Sequence, residues 1–220
     1  MTEEQTHQTA KVIKIKEEST GLLAATLEVA ADVSAAYSKP GQYIVLHPKA
    51  SEKPVFMALA SAPGHTELEL LIGQPAADKL QFTEGSTVRI DPPAGNGYPV
   101  DLAKGKNVIL FAVGSGMSAI RSLIEYIRAN RDEFRNVDVF LGAHTEESHP
   151  YRQHDEAWAA DNISIHRTTS RPWVQDVFRN SSVSAENAVA FVCGMKEMVT
   201  GVTEALTDAG MDAELIRQNY

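Results

Sequence analysis

Asn107 to Ser118 (NVILFAVGSGMS) decides the fold. A nearly continuous apolar run ends in Gly114-Ser115-Gly116, and Met117, Ile120, Leu123, Ile124 and Ile127 then follow at a spacing of about 3.6 residues. Strand, glycine turn, helix is the first half of a βαβ unit, and a strand apolar on both faces belongs inside a parallel sheet. Toward the carboxyl end the alternation continues. Val137 to Gly142 reads as a second strand, Tyr151 to Ala160 as a helix, Ile163 to Arg167 as a third strand and Ala188 to Cys193 as a fourth. Met195 to Asp208 is an amphipathic helix, and Ala213 to Arg217 reads as a last strand. Helices between successive strands predict a parallel sheet covered on both faces.

Toward the amino end the rhythm changes. From Lys11 to about Asp91, short segments (KVIKIKEES, GLLAATLEVA, GQYIVLHP, PVFMALAS, ELELLIG, STVRI) are rich in β-branched and apolar residues, and Gly, Pro, Ser and Asp mark many of the breaks. They predict an antiparallel six-stranded β-barrel, closed or half-open, with almost no helix between strands. In Lys11 to Lys16 (KVIKIK) the alternation predicts one charged and one apolar face. The Pro/Gly cluster from Asp91 to Pro99 (DPPAGNGYP) marks the handover, so the expected division is a barrel domain at 1–100 and a nucleotide-binding α/β domain at 101–220.

Composition narrows the function. The 220 residues are 43% hydrophobic and 22% charged, which places them among folded globular chains. Lys and Arg number 20 against 29 Asp and Glu, a net charge of -9, which disfavours nucleic acid and anionic membrane as partners. The single cysteine, Cys193, allows no intramolecular disulfide and no Cys-based metal cage, and fits a reducing compartment. No apolar stretch approaches the roughly 18 to 20 residues of a membrane span, and Met1 to Ala10 is polar and acidic rather than a basic-then-apolar leader. A soluble intracellular protein is expected.

Candidate chemistry gathers at strand ends. Gly114 to Ser118 sits where a parallel sheet binds phosphate, because a helix amino terminus offers unpaired N–H groups and partial positive charge there. Ala119 takes the last position of a G-x-G-x-x-G, and no acidic residue is well placed about 20 residues on to hold a ribose hydroxyl, which disfavours dehydrogenases of that type. Ser170 and Arg171 follow the third strand and suit a 2′-phosphate, or are a solvated loop. Trp173 suits stacking on adenine or capping the core. Cys193-Gly194-Met195 ends the fourth strand, where a lone buried cysteine is also a good small apolar filler. His144, His149 and His154 recur without sharing a helical face and are expected to be solvated loop histidines. No Gly-x-Ser-x-Gly, Cys/His pair or zinc signature points to hydrolysis.

In this order the parts resemble the ferredoxin–NADP reductase-like superfamily, which joins a flavin-binding barrel to a pyridine-nucleotide domain. Gly41-Gln42-Tyr43-Ile44 is similar to its barrel strand, and Leu59-Ala60-Ser61-Ala62-Pro63 to the end of its flavin-stacking strand. Gly114 to Ser122 is similar to its nucleotide loop, and Val192 to Met198 to its VCGxxxM segment beside the nicotinamide. Ser170-Arg171 followed by Trp173-Val174-Gln175 resembles the NADP-selective segment of the plant-type enzymes. A Lys-Pro-x-Phe-x-Ala-x-Ala-Ser stretch at Lys53 to Ser61 is similar to the plant and algal "fruit protein" branch.

The resemblance implies a flavin-dependent NAD(P)H oxidoreductase using FAD (or FMN) with NADP(H) or NAD(H), passing electrons to an acceptor such as a redox protein. It implies a cytoplasmic location, or a plastid stroma for a processed chain. The residues it implicates are Phe56, Met57, Ala58, Leu59 and Ser61 on the flavin side, and Gly114, Ser115, Gly116, Met117 and Ser118 at the pyrophosphate. Ser170, Arg171 and Trp173 fall at the adenosine, and Cys193, Gly194 and Met195 at the nicotinamide. Tyr220 matches the terminal Tyr that covers the flavin in plant-type reductases. The departures are equally specific. Val55, Met57 and Ala58 stand where the family has the Arg, Tyr and Ser that contact flavin, and Gly73 to Asp78 lacks the hydroxyl of its pyrophosphate motif. Ala119 replaces a proline, and only Pro172 separates Arg171 from Trp173. Losing these polar contacts together equally suits a flavin-free descendant that senses nucleotide or binds a partner; a third class is a subunit handing electrons to a larger complex.

Overall fold

The structure, a computed structural model, describes residues 7–48 and 53–219. The amino-terminal half contains β1 (Gln8–Ser19), β2 (Leu22–Glu28), α1 (Ala31–Ala36), β3 (Tyr43–His47), β4 (Val55–Ala58), β5 (Glu67–Gly73), α2 (Gln74–Leu80) and β6 (Thr87–Ala94). Its six strands form one antiparallel sheet in the order β4-β3-β6-β1-β2-β5. Val12, Leu27, Ile44, Leu46, Leu70 and Ile90, all unexposed, fill the concave side.

The sheet curls until its edges touch, but it is not a fully laddered barrel. Edge meets edge at the isolated Leu59–Leu70 bridge, where Ala60 N–H donates to the Glu69 carbonyl at 2.7 Å. Pro63, three residues on, has no N–H with which to extend the pairing. Two short helices interrupt the strands where almost none was expected. The KVIKIK alternation is also broken: pairing slips between Val12 and Lys14, and across this bulge Ile13, 36% exposed, and Lys14 both face outward while Val12 and Ile15 pack on the core.

The carboxyl-terminal half contains β7 (Asn107–Val113), α3 (Met117–Ala129), β8 (Val137–Ala143), α4 (Asp155–Ala160), β9 (Ile163–Thr169), α5 (Val174–Arg179), β10 (Ala188–Cys193), α6 (Lys196–Asp208) and β11 (Ile216–Gln218). All its strands are parallel, in the order β11-β10-β7-β8-β9. Along β7, Val108 and Leu110 pack under α3 while Ile109 and Phe111 pack toward α5 and α6, which is why the run is apolar throughout. Tyr151 adopts a left-handed φ of 60° and a 3₁₀ turn occupies Arg152–His154, so the helix expected from Tyr151 begins at Asp155. The last strand likewise begins late, after a 3₁₀ turn at Ala213–Leu215. Among the described residues no helix is long and apolar enough to cross a membrane.

The chain leaves β7 for β8 and β9 on one side and returns to β10 on the other. Connections diverge at the carboxyl ends of β7 and β10, and an open α/β sheet has its natural crevice at such a point. Helix α3 fixes the curled sheet over that crevice. Ser118 Oγ donates to the Ala58 carbonyl at 2.7 Å, and the Arg121 guanidinium donates to the Ala60 carbonyl at 2.8 Å. Ser122 shares a hydrogen bond with the Tyr37 hydroxyl. Leu71 and Tyr98 complete the contact by packing into the apolar core under α3.

Candidate active site

A cleft of about 790 Å³ lies over the crevice, between the two sheets. Its first wall is Phe56, Met57 and Ala58 of β4 with the Thr20-Gly21-Leu22 turn; its base is Gly114, Ser115, Gly116 and Ser118. The far wall carries Ser170, Trp173 and Gln175, and Cys193, Gly194 and Met195 close the side.

Backbone requirements explain the glycines. Gly114 has φ +53°, and a Cβ there would meet nothing within 4 Å. Gly116 is different, because a Cβ would lie 2.4 Å from the Cys193 carbonyl oxygen; only hydrogen lets the start of α3 close on the tip of β10. No side chain caps the amino end of α3; it continues from a 3₁₀ turn at Gly114–Gly116, and Met117 N–H bonds back to the Gly114 and Ser115 carbonyls. Gln175 Oε1 is buried in the far wall without a hydrogen-bond partner, an acceptor waiting for a donor.

Cys193 is held as a neutral thiol. Burial pushes its pKa up to about 11, against a smaller lowering by a hydrogen bond with Tyr98. That disfavours thiolate chemistry at neutral pH. Phe56 is 63% exposed and its ring lies 5.6 Å from that of Tyr43, while Trp173 is 52% exposed with the Arg171 guanidinium 4.8 Å from its ring centroid. Broad aromatic surface thus stands at both ends of the cleft.

Not every residue singled out from the sequence lies there. Leu59 and Met117 are buried in apolar cores. Ser61 braces the curled sheet, its hydroxyl accepting from Glu69 N–H at 3.1 Å and its carbonyl from the Tyr37 hydroxyl at 2.7 Å. Ser118 and Ser170 line the cleft, but their hydroxyls donate to the Ala58 and His144 carbonyls. Arg171 sits at the rim beside Trp173, outside the lining. Tyr220 lies outside the described residues. His149 is a correction: it is 2% exposed rather than solvated, and His154 is half-buried with its ring stacked on Trp158. Sequence reasoning also passed over Gln175, Glu197 and the Thr20–Leu22 turn. Gln175 and Glu197 both stood inside recognised motifs, at 173–175 and 192–198; the turn is far from the glycine loop in sequence and carries no signal linking them.

The two cofactors fare differently. A nicotinamide nucleotide fits the glycine turn at the base of the cleft, with the open face of Gly114 and the orphaned Gln175 oxygen. For flavin, Phe56 to Ala58 on the edge strand β4 offer a flat apolar wall with open backbone. The start of α2 does not fit a flavin diphosphate: Gln74 N–H is taken by the Gly21 carbonyl at 3.1 Å, Pro75 has no N–H, and Asp78 is close enough for its carboxylate to accept from Gln74 at 2.7 Å. Among the described residues the cleft lining includes Glu197 but no Lys or Arg.

Comparison with known proteins bears on the fold and on the carboxyl-terminal half. Residues 110–204 match the family model described as the oxidoreductase NAD-binding domain. Two curated relatives from Pyrococcus furiosus are similar: the gamma subunit of sulfhydrogenase 2, 29% identical over 199 residues, and that of sulfhydrogenase 1, 28% over 195. These alignments cover 79% and 81% of this chain, and 68% and 66% of the relatives' own lengths. Among solved structures, the Amycolatopsis cytochrome P450 reductase superposes with TM-score 0.83 at 18% identity, over 97% of this chain and 70% of that one. A Neisseria gonorrhoeae ferredoxin NADP+ reductase with bound FAD and NADP gives 0.80 at 18%, over 99% and 100%. The chain has the two-domain fold of ferredoxin–NADP reductases.

Proposed function

We propose that this chain is an NAD(P)H oxidoreductase that sets a nicotinamide against a flavin ring in the cleft, with residues 1–100 as the flavin-side domain and 101–220 as the nucleotide-side domain. The observation that carries the reading is the convergence of three segments, β4 at Phe56–Ala58, the Gly114–Gly116 turn and the Cys193–Met195 tip, on one cavity. When bound, the nicotinamide supplies a hydride and the flavin accepts it. The protein's share is position. The Gly114–Gly116 turn before α3 holds the nucleotide's pyrophosphate, Arg171 and Trp173 hold its adenosine end, and Cys193 and Gly194 border the ring. A thiol with a pKa near 11 neither gives nor takes a proton at neutral pH, and hydride transfer asks for none.

On the flavin side the grip is by strand edge and apolar wall, so the flavin is held loosely and is lost on dilution. The Lys53–Ser61 stretch supports the "fruit protein" branch, and the single thiol a reducing compartment. The relatives' place as sulfhydrogenase gamma subunits supports electron delivery to a partner protein, with slow turnover when the partner is missing. The test is a spectrum. The protein titrated with FAD or FMN develops a bound-flavin absorption that NADPH or NADH bleaches. A preparation that takes up neither flavin while still binding NADPH instead supports the flavin-free descendant, and comparable affinity for NADH and NADPH removes the NADP preference.

A further inference from the structure

The outer face of the curled sheet carries a cluster unrelated to the cleft. His7, just before β1, His47 at the end of β3 and Asp91 in β6 come from three adjacent strands, β1-β6-β3. Gln8 pairs with Ile90 and His47 with Arg89, so all three side chains stand on the face opposite the buried Ile90 and Leu46. His7 Nδ1 is 2.8 Å from Asp91 Oδ1 and His47 Nε2 is 2.9 Å from Asp91 Oδ2. The two imidazole rings lie 3.8 Å apart between centroids.

We propose that His7, His47 and Asp91 form a binding site for a divalent transition metal of the zinc, cobalt or nickel class. One ligand atom from each residue already lies within 4.8 Å of the others. Two borderline imidazole nitrogens beside one carboxylate suit these ions, whereas calcium and magnesium demand oxygen ligands throughout. The side chains remain 23%, 18% and 37% accessible, which leaves room for water in the remaining coordination positions. Arg89, the nearest cation in register, is occupied by the Pro48 carbonyl at 3.0 Å. The donors ride on paired strands, so little chain ordering is needed on binding. A metal there ties the start of β1 to the end of β3 across β6. It is remote from the cleft, because Tyr43 at the opposite end of β3 is the residue that pairs with Ala58.

Metal-free full-length protein titrated with Co²⁺ should saturate at one equivalent, with visible ligand-field bands that Zn²⁺ abolishes. His7→Ala, His47→Ala and the near-isosteric Asp91→Asn should each weaken binding by about 10- to 100-fold. His65→Ala, which removes an exposed imidazole elsewhere, should leave it unchanged. Zn²⁺ should also raise the thermal midpoint, reversibly with a chelator, in the parent but not in the three site variants. Absence of stoichiometric binding overturns the site, as does binding that survives all three substitutions. Neither outcome touches the flavin and nucleotide titrations, which test the cleft separately.

Discussion

At the scale of single residues, two neighbouring glycines do different jobs. Gly114 faces open space, so Gly114→Ala pays only for a left-handed backbone, about 1 kcal/mol. Gly116→Ala forces a methyl into the Cys193 carbonyl and must push the start of α3 from the tip of β10, costing about 1 to 3 kcal/mol. The expected result is that Gly116→Ala loses NADPH affinity out of proportion to Gly114→Ala, as read by fluorescence titration beside urea unfolding; equal losses would falsify the assignment of that approach as the base of the nucleotide site. Cys193 yields a second prediction. With its pKa raised to about 11, alkylation by iodoacetamide should be slow at pH 8 and accelerate as pH climbs toward 11, and bound nucleotide should protect it. Rapid labelling at pH 7 would mean a thiolate and a different chemistry.

At the scale of elements, α3 is the strut that holds the other sheet as well as the helix we propose for the nucleotide. Ser118→Ala leaves the Ala58 carbonyl without its donor, an effect of about 1 to 3 kcal/mol. Because Ala58 ends the first cleft wall, the variant should lose flavin uptake more than nucleotide binding; unchanged stability and unchanged uptake together would show that the bond does not hold that wall. This strut also marks the boundary of what sequence could reveal. The strand, glycine turn and helix of β7 and α3 were legible because their periods differ and because glycine punctuates them. Helix α5 was not, since Val174–Arg179 is too short to establish a period, nor was α1, whose Ala-rich residues directly follow a strand pattern. The bulge at Ile13 shows the same limit: two adjacent apolar residues in KVIKIK fit an alternating strand only if one is displaced, and pairing rather than composition decides which. The hydroxyls of Ser118 and Ser170 looked like phosphate ligands because position is readable, whereas the carbonyls that engage them come from distant parts of the chain.

At the scale of the whole molecule, the loop from β8 to α4 is the second clasp between the halves, and it is expected to weaken in acid. Thr20 N–H donates to the Glu147 carbonyl at 3.1 Å, and the Glu18 carboxylate receives Tyr151 N–H at 2.9 Å and Gln153 Nε2 at 2.7 Å. Within this loop His149 is buried, with no well-formed hydrogen bond to either ring nitrogen. Burial, and then the positive charge of Arg167, hold its pKa below the ordinary 6.5. His154 is lowered in the same way, by burial first and then by Arg121. The sign follows from proton counting: as pH falls through about 6.5 the unfolded chain takes up protons that the native loop refuses, so native stability declines and levels off only below the folded-state pKa values. His149→Leu removes one of these sites. Urea unfolding of parent and variant between pH 7.5 and 5 should therefore show the variant gaining on the parent as pH drops, with the parent's cleft losing nucleotide affinity over the same interval because the clasp loosens before the sheets do. Parallel pH profiles for the two proteins would place the acid sensitivity in the surface carboxylates instead.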